Sequence, residues 1–235
     1  MAAALNAVQA VIWFWLEAVL ITRLLGGEWR RFPLVFAYAV TDFLLAVAQF
    51  PTIWAITFHA TPSALSWSAR VYQWGELLME FFTFVLVINL IFSASAHLQS
   101  RRVMRFVCVV GAMLFVGISF RAHYDPRLTV GRWMAPWTRD LNFGASILDI
   151  ALWTLLLAQR RGDSRLLLLS GALGVQFTGA AMGHAMRSMA THYHAWPAIA
   201  GGKVVVITET LRVYMWARAF RPLARATPAA TSVDG

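Results

Sequence analysis

Seven apolar runs, each near the length of a bilayer crossing, leave this chain few folds to choose from. They lie at Leu5–Leu25, Pro33–Thr57, Arg70–His97, Val103–Phe120, Asp140–Gln159, Leu166–Ala185 and Pro197–Phe220. A membrane helix needs about 20 predominantly apolar residues, and a helix satisfies its own backbone polar groups where water is absent. The hydrophobic fraction is 59% and the mean hydropathy +0.61, above the roughly 45–50% apolar content of a soluble domain. The expected fold is all-α: a polytopic membrane protein with a seven-transmembrane helix bundle at residues 1–220. A short, disordered cytoplasmic tail is expected at 221–235.

The basic residues set the expected orientation. The net charge of +9 comes from arginine, with Lys203 the single lysine. Arg23, Arg30, Arg31, Arg101, Arg102, Arg105, Arg160, Arg161, Arg165, Arg212, Arg218, Arg221 and Arg225 collect on one side. Arg70, Arg121, Arg127, Arg132, Arg139 and Arg187 fall on the other. The positive-inside rule makes the first side cytoplasmic, with the N-terminus out and the C-terminus in. It explains the basic balance without nucleic acid as a partner; the expected partner is the lipid bilayer of a bacterial inner (plasma) membrane. No basic residue precedes Arg23, so the first run lacks a signal-peptide n-region and is expected to be retained. Phe58–Ala69 and Arg121–Arg139 read as outer loops, the second carrying Trp133 and Trp137 to the interface. Cys108 is the single cysteine, which excludes an internal disulfide and a cysteine-based metal cage.

The third run carries the strongest functional signal. Glu76 and Glu80 are one helical turn apart and share a face with Gln73, Thr83 and Val87. Of eleven acidic residues, six fall inside the runs, apart from Asp140 at the very start of the fifth: Glu17, Asp42, Glu76, Glu80, Asp149 and Glu209. Each costs at least about 2.5–3.5 kcal/mol in hydrocarbon, so such residues face a bundle interior or a wet cavity. Trp13 precedes Glu17 and Tyr38 precedes Asp42 by one turn, and Asn142 and Ser146 share a face with Asp149. With Gln176, Lys203 and Arg212 these acids form the candidate ion-binding cavity. Lys203 is expected to pair with one of the carboxylates, and Glu209 with Arg212 three residues on. The bland alternative is a set of buried pairs that fix helix register.

The leading functional expectation is ion- or proton-linked transport of a small solute, or ligand sensing. An accessory structural subunit of a larger membrane complex, or a homo-oligomer, is the alternative from a different class. No P-loop, GxGxxG or nucleophilic triad is readable, so no catalytic residue is assigned and no cofactor is named. Gly179 and Gly183 in the sixth run are spaced for close helix contact.

His59, His123, His184, His192 and His194 all fall near the expected outer face, and His97 alone inside. Beside Asp125 or Asp140, such imidazoles suit zinc, which takes three protein ligands in a catalytic site. An outer-face metal-dependent hydrolase is therefore a further alternative, with His184, His192 and His194 as candidate ligands. The seven-helix zinc hydrolases of the ceramidase and progestin-receptor-like group have a serine before a histidine at a helix end and two histidines one turn apart. Here His192 and His194 are two apart, and Ala55 stands four before His59.

A lone lysine in the seventh run is similar to the retinal lysine of microbial rhodopsins. Arg70, Gln73 and Trp74 have the spacing of that family's third-helix arginine, counter-ion and ring-stacking tryptophan, and Arg212 is nine after Lys203. The resemblance implies a retinal Schiff base on Lys203. The chain departs from it at Ile199, where an aspartate is expected, and in the sixth run, where Phe177 is the single aromatic. Over more of its length the chain resembles small uncharacterised seven-helix membrane proteins of bacteria, particularly acidobacterial ones. RRFPLVFAY at Arg30–Tyr38 and YQWGELLMEFFTFVLVI at Tyr72–Ile88 carry that resemblance. It implies the seven-helix layout and brings no function with it.

Overall fold

A computed structural model describes residues 2–58, 62–97, 101–128, 130–158, 163–190 and 196–221. These form seven α-helices: α1 Ala2–Leu25, α2 Pro33–Phe58, α3 Pro62–Ala94, α4 Arg101–His123, α5 Val130–Ala158, α6 Ser164–Ala190 and α7 Trp196–Ala219. Single 3-10 turns at Glu28–Arg30 and Ser95–His97 follow α1 and α3. Six helices, α1 to α6, are long and apolar enough to cross a membrane. α7 differs because Lys203, Glu209 and Arg212 interrupt its apolar run. Trp15, Phe106 and Leu157 are each more than two-thirds exposed. Apolar surface on that scale marks contact with lipid or another chain rather than water.

Local chemistry sets the helix ends. Pro33 and Pro62 open α2 and α3, at the first helical position, where a missing N–H costs nothing. Asp163 accepts the backbone N–H of Arg165 at 2.9 Å and caps α6. Gly27, at φ +120°, takes the corner between α1 and α2 in a conformation that side chains rarely adopt. Inside the apolar helices, hydroxyls bond back to their own backbones: Thr83 to Met79 O, Ser146 to Asn142 O and Thr178 to Gly174 O. That arrangement satisfies a hydroxyl without a second helix.

Two segments expected as loops are helical instead. Residues 62–69 belong to α3, and residues 130–139 form the first turns of α5. Pro136 sits inside α5. Trp133 and Trp137, one turn apart, pack against Phe120 of α4 at 5.8 and 5.0 Å between ring centres. Aromatic burial against α4 thus outweighs the turn signals of this arginine-rich stretch. The tail lies outside the described residues beyond Arg221.

Six helices close a ring in the order α1, α2, α3, α5, α6, α7, and back to α1. α4 packs on the outside, against α3 and α5, and little of it is buried. The tightest pair is α6 with α7, because Gly179 and Gly183 meet Thr208, Val205 and the Gly201 carbonyl without intervening side chains.

The apolar core gathers toward one end of the ring. Leu20 and Leu24 of α1, Val35 and Tyr38 of α2 with Phe32 just before it, Leu90 of α3, and Val213 and Trp216 of α7 with Phe220 just after it are almost wholly buried there. Ionic latches cross the same end: Arg165 meets Glu28 at 2.6 Å and Arg31 meets Asp163 at 3.1 Å. Arg23 donates to the Ala217 carbonyl, tying the end of α1 to the end of α7.

Candidate functional site: a buried arginine among three carboxylates

Arg212 has no exposed surface. Its Nη2 donates to Asp42 Oδ2 at 2.6 Å and to Glu209 Oε2 at 3.0 Å. Its guanidinium lies over the rings of Tyr38 and Trp216, 4.7 and 4.9 Å from their centres. A desolvated cation on an aromatic face gains about 2 kcal/mol per ring. Trp216 is itself fixed by its Nε1–H, which donates to the Leu169 carbonyl of α6 at 3.1 Å. Because α2 and α7 are not neighbours in the ring, the Arg212–Asp42 pair spans its interior.

Glu17 of α1 completes the cluster. It is fully buried and feels the charges of Arg212, Asp42 and Glu209. Asp42 is the acid whose charge bears on it most. Ionised carboxylates gathered around one guanidinium repel each other, which favours a proton or a cation among them. With all groups ionised, Arg212 contributes +1 and Glu17, Asp42 and Glu209 contribute −3, leaving −2 in a site of low dielectric. Among the described residues, both Glu17 oxygens, Gln176 Oε1, and Arg212 Nε and Nη1 have no hydrogen-bond partner. Buried polar atoms are normally paired with protein or ordered water. Donors and acceptors left open side by side suit water, or a small solute that offers both. Asp42 and Glu209 keep 19% and 30% of their side-chain surface accessible, which gives the site an opening.

A trail of polar groups runs from this cluster away from the apolar end. Gln176 of α6 donates to Glu209 Oε1 at 3.0 Å. Glu80 of α3 feels the charge of Glu209 and accepts from Asn142 of α5 at 3.1 Å. Glu76, one turn nearer the start of α3, adds its charge to Glu80 and lies in the field of Arg187. Lys203 is half-buried on α7, six residues before Glu209.

Asp149 does not join them. Its Oδ1 accepts from Ser170 of α6 at 2.6 Å, and Ser146 and Asn142 turn to other partners. Of the expected cavity residues, the structure therefore brings Glu17, Asp42, Gln176, Glu209 and Arg212 together, leads Glu80 and Glu76 toward them, and leaves Asp149 apart. Trp216 is the site residue that sequence reading missed. Its sequence signal is the four-residue spacing from Arg212, one helical turn along α7.

The histidines divide differently from expectation. His59, His192 and His194 lie outside the described residues. His184 is exposed and faces Arg187 and Arg139, cations that would repel a metal ion. His123 instead stands with Asp140: its Nε2 is 2.9 Å from Asp140 Oδ2, which also accepts from Ser119 at 2.7 Å. Ser119 is four residues before His123 at the end of α4, a serine–histidine spacing that Ala55 denies to His59. Among the described residues, no three His, Cys, Asp or Glu side chains converge as a metal site. Trp74, the stacking ring of the rhodopsin comparison, is 55% exposed and walls no interior pocket. No family model, curated protein or solved structure matches the chain, so the chemistry of these side chains alone carries the functional reading.

Proposed function

We propose that this chain is a seven-span bacterial inner-membrane protein, N-terminus out, that moves protons or a cation together with a small polar solute. One observation carries the reading: a fully buried arginine pairs with Asp42 of α2 and Glu209 of its own helix, a third buried acid, Glu17 of α1, stands in their field, and donors and acceptors beside them are left open. A structural ion pair needs one carboxylate per guanidinium; the excess acids need an exchangeable positive charge. The polar trail through Glu80 and Glu76 gives protons or cations a route from the end bearing the start of α3. The apolar plug and ionic latches favour closure at the opposite end, so access alternates when that end loosens.

Proteoliposomes loaded with a pH-sensitive dye and given a potassium diffusion potential test this directly. Wild-type protein should admit protons, and Glu80→Gln or Glu209→Gln should abolish the signal while still purifying as folded protein. Unchanged proton entry in both variants sinks the reading.

A metal-dependent hydrolase is the second reading, favoured by Ser119, His123 and Asp140. A catalytic zinc takes three protein ligands, and two ligating groups stand together here. Stoichiometric zinc in protein from zinc-supplemented cells, lost in His123→Ala, would support it; metal-free protein from the same cells would remove it.

A further inference from the structure

A second pocket lies on the outer side of the ring, away from Arg212. It is a groove of about 550 Å³ between α5 and α6, reaching Thr208 of α7. Binding sites for drug-sized molecules run from about 300 to 1,000 Å³. Ile150, Trp153 and Leu157 of α5 form one wall, and their outer faces are exposed. The floor on α6 is made of glycine. A Cβ on Gly174 would stand 3.3 Å from Asp149 Oδ2, and one on Gly171 would stand 3.3 Å from the Trp153 ring. Those two missing side chains open the trough beneath the carboxylate.

Asp149 is the single ionisable group among the residues lining this groove. Its Oδ1 is occupied by Ser170. Ser170 is the one donor shown to the carboxylate among the described residues, and Oδ2 stands 3.3 Å from the Cβ position of Gly174 on the groove floor. Asp149 lines the groove while 3% exposed, so Oδ2 is the oxygen left for a ligand there. The threonine hydroxyls nearby do not turn to it: Thr154, Thr178 and Thr208 each donate to a carbonyl of their own helix. A lone carboxylate beside hydrocarbon is expensive unless something neutralises it.

The geometry points to this groove as a binding site for a lipophilic amine that enters from the bilayer, its ammonium on Asp149 Oδ2 and its apolar body along Trp153 and the glycine floor. Charge complementarity selects that occupant. An acyl chain would fill the apolar walls but leave the carboxylate unpaired, and an anion would be repelled. The site is independent of the Arg212 cluster and does not rest on the transport reading.

The test uses purified full-length protein in nanodiscs and two probes, 11-bromoundecylamine and its uncharged twin 11-bromoundecanol. Bromine quenches tryptophan on contact, and the difference between wild type and Trp153→Phe isolates the groove. The amine should quench Trp153 saturably, at least ten times more tightly than the alcohol. Asp149→Asn, which keeps the acceptor for Ser170, should weaken the amine at least tenfold. Gly174→Leu should abolish quenching by both probes, and Glu209→Gln should change neither. Equal affinity of amine and alcohol for the wild type overturns the proposal and leaves a groove covered by lipid chains. That comparison needs no variant, so it decides even if Asp149→Asn fails to fold. Undiminished amine binding to a folded Asp149→Asn overturns it equally.

Discussion

Arg212 and Asp42 are 170 residues apart in sequence and 2.6 Å apart in space, between helices that are not neighbours in the ring. The pair ties the last helix to the second across the interior, and the rings of Tyr38 and Trp216 hold the guanidinium in place. Removing one partner of a buried ion pair leaves an uncompensated charge and costs about 3–5 kcal/mol. Arg212→Met should therefore destabilise the protein by that order, read as a fall in thermal midpoint in detergent. Arg212→Lys should cost about 2 kcal/mol, because a lysine keeps the charge but loses the planar donor set and the fit over two rings. A lysine variant as stable as wild type would show that charge alone holds the cluster.

Glu17 should behave in the opposite way. It adds a third acid to a cluster whose two paired carboxylates already outnumber its arginine. Glu17→Gln should leave the thermal midpoint unchanged or raised, yet stop proton entry into proteoliposomes. A stability loss of more than about 1 kcal/mol, the net worth of an ordinary hydrogen bond, would make Glu17 architectural.

The glycines of α6 and α4 should separate close packing from mere helix propensity. A Cβ on Gly179 would collide with Thr208, and one on Gly183 with Val205 and the Gly201 carbonyl. Overpacking of this kind costs about 1–3 kcal/mol, so Gly179→Ala and Gly183→Ala should each lower the thermal midpoint. Gly111, on the outer face of α4, has nothing within 4 Å of its added Cβ. Gly111→Ala should be neutral or stabilise by up to about 1 kcal/mol through helix propensity.

The latches at the apolar end should contribute little each. Their side chains keep between 22% and 60% of their surface exposed, where an ion pair is worth about 0–1 kcal/mol. A double-mutant cycle on Glu28→Gln and Arg165→Gln should give a coupling in that range, smaller at high salt. If the end opens during transport, the same variants should raise proton leak while barely changing stability. Unchanged leak would leave the latches as static clasps.

Helix positions were largely legible because lipid enforces one simple rule, a run of apolar residues about 20 long. The rule weakens at helix ends. Residues 62–69 and 130–139 carry turn-forming residues and arginines, and become helical because Pro62 suits a first turn and Trp133 and Trp137 bury against α4. The acids were legible for the same reason as the helices: each is costly in an apolar run and stands out. Their grouping was not. Asp149 stands inside an apolar run as Glu80 does, yet it turns to Ser170 while Glu80 turns to Asn142. Period alone gives the face of one helix, and which neighbour meets that face depends on how the helices are ordered around the ring.

By itself, the sequence determined that this protein is helical, rich in exposed apolar surface, and provided with ionisable groups inside its apolar runs. Those properties follow from local hydrophobicity and the 3.6-residue period, which need no partner. Tertiary structure decided that six helices close a ring with α4 outside, that Arg212 meets Asp42 and Glu209 with Glu17 beside them, and that Asp149 faces a separate groove. The physical reason is that a buried charge is satisfied only by groups brought to it from other helices, and their distances are set by packing rather than by spacing along the chain.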